Sequence, residues 1–402
     1  MKPTLNLSEL ASKPFIGLVE LMRLAHANVD LAPLGQMLID KTSDNLNDAN
    51  ALMDLATVLQ LRGNRELALQ VQAQAIALQR DYVLPTKKSP MLRVLALLSK
   101  GDLMANTPIE FLLENSDIEL TQFYVTDDLF TVAGSFNEDL PEHDVLFVAI
   151  AESEENLSIL KQLEPILRIW SKPVLNKPER ITKMSRDAAC QLLADAAGIV
   201  MPNTVRYTTE TLNTAVFDYP LIIRPVDSHA GHDLAKIDSL TALTDYVTQQ
   251  NYDEFFVARF VDYRNADGLF RKYRIMLIAG KPFLAHLAIS SHWMIHYLNA
   301  GMADDAEKRA EEARVMSNFL ETFAKKHAAA FQAIYERTGL DYIGIDCSET
   351  QDGELLIFEI DSCMIVHAID PVDLFPYKPA HMAELFAVFQ NLLKVVATKN
   401  SL

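Results

Sequence analysis

Apolar residues recur along the first eighty positions at steps of three and four. Phe15, Leu18, Val19, Met22 and Ala25 form one such stripe, and Leu31 to Ile39 continues it. That is the period of a helix with one buried face, so residues 15–82 read as helical. Within them, DANALMDLATVLQLRGNRELALQVQAQAIALQRDY reads as two helices turning at Arg62-Gly63-Asn64. A polar, proline-closed linker follows at 86–90, and then the period changes. Met91–Leu98, Leu120–Val125, His143–Ile150 and Pro173–Leu175 are apolar runs of strand length. Thr107–Glu114 and Glu154–Trp170 lie between them with helical spacing. Strands alternating with helices predict a small α/β sheet.

Further on, Ser185 caps a helix expected to run to about Ala196, where Gly198 and Pro202 stop it. Pro220–Pro225 and Phe255–Val261 read as buried strands, and Tyr273–Ile278 with Pro282–Ile289 as a hairpin about Gly280. A long charged helix is expected over residues 303–338. Tyr342–Cys347 and Leu355–Ile360 pair through a polar turn at Asp352-Gly353. A last helix covers Met382–Val396.

Composition narrows the function classes. Half of the 402 residues are apolar, enough for sizeable cores, and the length allows two to four domains. Lys plus Arg number 36 against 54 acids, a net charge of −18. That argues against a general nucleic-acid or anionic-membrane surface. Cys190, Cys347 and Cys363 form no CxxC pair and no disulfide framework, which points to a reducing, cytoplasmic setting. The start has no signal-peptide core, and no apolar run reaches membrane-spanning length.

The densest chemistry lies in the last hairpin, YIGIDCSETQDGELLIFEID. Glu359 and Asp361 share one face of their strand because side chains alternate with period two. If Asp346 stands opposite them, three carboxylates converge, as suits magnesium held together with nucleotide phosphates. The bland alternative is a hairpin with solvated acids at its ends. There is no GxGxxG, so a dinucleotide site is unsupported.

Two resemblances follow from these residues. Ala56, Leu59, Ala68 and Ala75 around the Arg62-Gly63-Asn64 turn resemble a tetratricopeptide repeat, whose period is about 34 residues. Such a segment implies a docking or dimerisation surface, with an ordinary helical hairpin as the alternative. Residues 172–396 resemble the ATP-grasp superfamily of carboxylate–amine ligases, the glutathione synthetase and ribosomal-protein-modifying kind. The likeness lies in the order of parts: a helix ending in A-G-I-x-x-P, a strand ending in a base, a glycine loop, a hinge strand, an arginine strand, and the D…E-x-D hairpin.

The resemblance implies an α+β ATP-grasp fold, two α+β lobes around the nucleotide. A small α/β pre-grasp domain and an all-α helical-repeat segment would precede it, with domains at 1–85, 91–175 and 176–402. It implies ATP and one or two Mg2+ ions, the metal on Asp346, Glu359 and Asp361. Phosphate-binding bases fall on Arg186 and Arg224, where the family usually has lysines, with Lys183 as a second choice for the first. Ser228 and Gly231 fall in the loop over the phosphates, with His229 and His232 as further donors. Ala258, Arg259 and Val261 fall at the adenine hinge; Arg259 stands where a glutamate is common. Arg274 matches the arginine facing the phosphates and, with Arg224, is the catalytic pair. Lys272, His286, His292, Trp293 and His296 would line the substrate pocket. Asp361 replaces the usual asparagine.

The implied reaction activates a carboxylate as an acyl-phosphate and joins it to an amine. The substrate would be a small molecule, peptide or protein, with no nucleic acid and no membrane. The N-terminal helices would recruit it, hold a protein partner, or make a homo-oligomer. Two alternatives stand beside this: a non-catalytic helical-repeat adaptor with a degenerate nucleotide lobe, and an ATP-grasp kinase.

Overall fold

Of the first stripe only Val19 is buried, while Phe15, Leu18, Met22 and Ala25 are half-buried; the helix Leu18–His26 instead buries Leu21 and Leu24, which meet Leu34, Leu38, Ala51 and Val58 from the next two, Ala32–Asp44 and Ala49–Leu61. The computed structural model describes residues 6–399 except 85, 87–88, 133, 227 and 229–230, so part of the expected linker lies outside the described residues. The fourth helix, Arg65–Leu78, pairs with the third, and Gly63 turns between them at φ +80°. Asp48 starts the third helix by accepting the Ala51 N–H at 2.9 Å, a side-chain cap.

The chain divides into two units: 1–151, 155–179 and 363–402 make the first; 152–154 and 180–362 make the second. The first contains the helices above and one sheet. Its strands are β1 (Asp81–Leu84), β2 (Leu92–Ser99), β3 (Ile118–Val125), β4 (Val145–Val148) and β5 (Val174–Leu175), in the order β1-β3-β2-β4-β5. β2 to β5 run parallel, and β1 is antiparallel to β3. A parallel strand is covered on both faces, which explains the apolar runs 94–98 of β2 and Val145–Val148 of β4. The C-terminal helix, Lys378–Lys399, belongs here: Phe389 meets Phe147 edge to face at 5.8 Å. β1 takes residues 81 and 82 from the end of the stretch expected to be helical.

The second unit has two sheets. The smaller is antiparallel, with β7 (Val205–Thr208), β8 (Leu221–Pro225), β9 (Ala235–Ile237) and β10 (Glu254–Arg259) in the order β7-β10-β8-β9. Leu221, Ile223, Phe255 and Val257 bury one face against Leu212 and Leu243, from helices Thr209–Thr214 and Leu240–Gln249. Alternation therefore turns Arg224 and Phe256, cross-strand partners, to the other face. The larger sheet has β6 (Ile199–Val200), β11 (Phe270–Ile278), β12 (Lys281–Ser290), β13 (Tyr342–Glu349) and β14 (Leu355–Asp361), in the order β12-β11-β13-β14-β6. The α+β class read from the sequence is the class observed. Among the described residues no helix is long and apolar enough to cross a membrane.

The charged helix expected over 303–338 is three pieces: Ala306–Asn318, a π-helical turn Leu320–Ala324, and Ala328–Thr338. Phe323 stacks on Tyr273 of β11 at 4.3 Å, placing a packed aromatic on the irregular turn. The β11–β12 turn needs its glycine. Gly280 has φ +79°, and an added Cβ would lie 2.8 Å from the Tyr335 ring. Gly280→Ala is therefore expected to destabilise the second unit by about 1–3 kcal/mol, measured by urea unfolding. An unchanged midpoint would refute this account of the turn.

Candidate active site

The larger sheet sets the site by register. Arg274 on β11 stands opposite Asp346 on β13, and Asp346 opposite Glu359 on β14. A register shift after Asp346 keeps that pairing while the strands beyond it slip by one residue. On the other side Arg274 faces His286 of β12. Directly opposed residues share a face, so the row His286–Arg274–Asp346–Glu359 crosses four strands. Lys272 joins this face from two residues before Arg274.

Close contacts bind the row together. Asp346 is 3% exposed. Arg274 donates Nε to its Oδ1 at 2.8 Å and Nη2 to its Oδ2 at 3.0 Å; Lys272 Nζ donates to Oδ2 at 2.9 Å. Burial alone would raise the Asp346 pKa, but Arg274 and Lys272 outweigh it and hold the carboxyl well below the ordinary range. Glu359 accepts from Arg186, at the start of helix Arg186–Leu193. Burial again opposes ionisation of Glu359, and Arg186 with Arg224 prevails and lowers its pKa. Arg224 is buried at the end of β8 and donates to Ser228 Oγ at 3.0 Å and to the Ser228 carbonyl. Burial, then the neighbouring Arg186, lowers its pKa to about 9, so it remains cationic at neutral pH.

A cleft opens beside this row. Its polar wall includes Ser185, Arg186, Ser228, Glu359 and Asp361; Met184, Met201, Val226, Phe256 and Ile360 give it an apolar side. Glu152, Glu154 and Ala189 complete the lining. An apolar slot next to clustered cations is a suitable shape for a base joined to phosphates.

No family model matches this chain, and no curated protein matches it. Solved structures are similar in outline. A RimK domain ATP-grasp protein from Sphaerobacter thermophilus is 16% identical, with 74% of this chain and 98% of that one covered at a TM-score of 0.45. VanG D-Ala:D-Ser ligase from Enterococcus faecalis is 14% identical, covering 75% and 99% at 0.47. D-alanine–D-alanine ligase from Bacillus anthracis, complexed with ATP, is 11% identical, covering 77% and 99% at 0.45. At such values the site has to be read from its own residues.

The sequence-predicted residues fall into groups. Arg186, Arg224, Lys272, Arg274, Asp346 and Glu359 lie in the contacts just described, and Ser228 and Asp361 line the cleft. His296 is half-buried; burial, then the Lys272 and Arg274 charges, lowers its pKa. His286 packs against the Tyr297 ring at 4.4 Å. Trp293 meets Phe260 edge to face at 5.7 Å, and its carbonyl accepts from the Tyr263 hydroxyl. Gly231 sits against Met294, with 3.5 Å from a built Cβ to the sulfur. Lys183, Arg259 and His292 are exposed, while Ala258 and Val261 are half-buried on and just past β10. His229 lies outside the described residues.

Glu152, Glu154, Met184 and Met201 were not singled out from the sequence, whereas Phe256 opens the stretch 256–261 that the resemblance assigned to the adenine hinge. Glu359 and Asp361 fit a hard divalent cation shared with phosphate, which takes one or two carboxylates. Asp346 has both oxygens engaged by cations. Among the described residues no three acidic, histidine or cysteine side chains are grouped to hold a metal.

Proposed function

We propose that this chain is an ATP-dependent carboxylate–amine ligase working in the cleft of the second unit. The observation that supports this best is the cluster of four cations about two carboxylates: Lys272 and Arg274 on Asp346, Arg186 on Glu359 and Arg224 close enough to lower the Glu359 pKa, with Arg186 and Glu359 on the cleft wall. Phosphoryl transfer asks a protein mainly for positioning and for neutralisation of charge. Arg186 and Arg224 receive phosphate oxygens; their forked donors fit phosphate in pairs. Met184, Met201, Val226 and Phe256 take the base and exclude water around it. A magnesium ion on Glu359 and Asp361 would supply further charge neutralisation at the phosphates.

The substrate carboxylate attacks the γ-phosphorus and forms an acyl-phosphate, releasing ADP. The amine then attacks the acyl carbon, and phosphate leaves as the amide forms. In this reading Arg274 and His296, which are near each other, orient the acyl group. No protein nucleophile is required, which leaves Cys190, Cys347 and Cys363 as the buried packing groups that they are.

The test is release of ADP and phosphate with magnesium across a panel of amino acids and short peptides. Turnover is expected only when a carboxylate and an amine are both supplied, and Glu359→Ala is expected to abolish it. ADP release without an amine product would turn the reading towards a kinase. No ATP binding by calorimetry would sink it.

A further inference from the structure

The Asp346 carboxylate of the hairpin is held differently from that of Glu359. Glu359 and Asp361 stand on the cleft wall, whereas Asp346 is nearly fully buried beneath two cations. Arg274 takes both Asp346 oxygens with its fork, and Lys272 adds a third bond. We propose that Lys272 and Arg274 close Asp346 to metal, so that the cleft holds a single divalent cation, on Glu359 and Asp361. This rests on reading the cleft as a nucleotide site.

The argument is electrostatic and geometric. A divalent ion on Asp346 would have to sit within a few ångströms of a guanidinium and an ammonium, both desolvated and already compensated by that carboxylate. Lys272 cannot swing away cheaply, since it is 12% exposed and its charge would lose its partner in the interior. The chain thus supplies, as a fixed ammonium, positive charge that a second metal would otherwise bring to the phosphates. Lys272 is a positioning residue here, acting through Asp346. Glu359 differs in that the cation bonded to it, Arg186, lines the cleft, where incoming phosphate competes for the guanidinium.

Two measurements on the full chain test this. Bound Mn2+ is counted from the loss of the free-ion paramagnetic signal, with a saturating non-hydrolysable ATP analogue. One ion per chain is expected for the wild type. Asp346→Asn is expected to keep that ion, and Glu359→Gln to weaken it at least tenfold. Lys272→Met, a milder change, is expected to admit a second ion. Two ions in the wild type, or loss of the ion in Asp346→Asn, overturns the proposal.

The second measurement is melting in EDTA without nucleotide. Asp346→Asn is expected to melt roughly 5 °C or more below the wild type, because two buried cations lose their partner. Adding Lys272→Met to it should recover part of the loss. Melting at or above the wild-type temperature overturns the triad. If the analogue does not bind but this melting pattern holds, the ligase reading fails and the triad stands.

Discussion

The stability of the first unit is expected to fall by about 4 kcal/mol as pH rises from about 4 to above 7, through Asp54 alone. Asp54 is 1% exposed, and burial raises its pKa to about 7 against the pull of two N–H donors, Ile16 at 2.8 Å and Gly17 at 3.0 Å. The unfolded carboxyl ionises near 4. Below that both states are protonated and the contribution is complete. Between the two pKa values the folded state binds more protons, so each pH step favours unfolding until the folded group also ionises.

Glu110 adds an effect of the same sign, since burial raises its pKa too. It accepts the Leu18 N–H at 2.9 Å and Gln122 Nε2 at 2.6 Å. Gly17, at φ +81°, lets the chain pass between them; an added Cβ would lie 2.9 Å from Leu84 and 3.0 Å from Glu110. The measurement is urea unfolding between pH 4.5 and 8 in a Trp293→Phe background, where Trp170 reports on the first unit. Asp54→Asn should lower stability at pH 5 and flatten the profile. A wild-type profile that is level or rises over this range, or an unchanged slope in Asp54→Asn, would contradict the account.

How far the sequence reached can be seen element by element. Helices 18–26, 49–61 and 65–78 were legible because little besides a half-buried helix makes a one-sided apolar stripe at period 3.6. β1 was not, because it is four residues long with only Tyr82 buried, and its pairing to β3 is a long-range matter. The π-helical turn at 320–324 left no mark in composition, since it depends on Phe323 reaching Tyr273 far away in the chain. Period two placed Glu359 and Asp361 on one face without a structure. That Asp346 faces Glu359, and is held by Lys272 and Arg274, needed the registers of β13 on β14 and of β11 on β13, which no local pattern encodes. The apolar cleft residues are ordinary core types, and only their meeting point distinguishes them.

Arg186→Met is expected to reduce kcat/KM for ATP about 10²–10³-fold, the usual cost of removing one preorganised charge at a phosphoryl-transfer site. Arg186 lies at the start of its helix, lines the cleft and bonds to Glu359, so it serves two roles. In the free protein it compensates the carboxylate; on the ligase proposal it turns its charge to the phosphates when nucleotide binds. Methionine keeps most of the packing and removes both roles. Arg186→Lys separates them. An ammonium restores the charge without the fork, so it should recover activity to within about tenfold of the wild type. If Arg186 only held Glu359 in place, lysine and methionine would differ little in kcat, and raising magnesium would rescue both. If charge on the phosphates is what matters, lysine recovers kcat at any magnesium level and methionine does not. Unchanged kcat/KM in Arg186→Met would remove this residue from the site, and with it the reason for the charge pairing on β14.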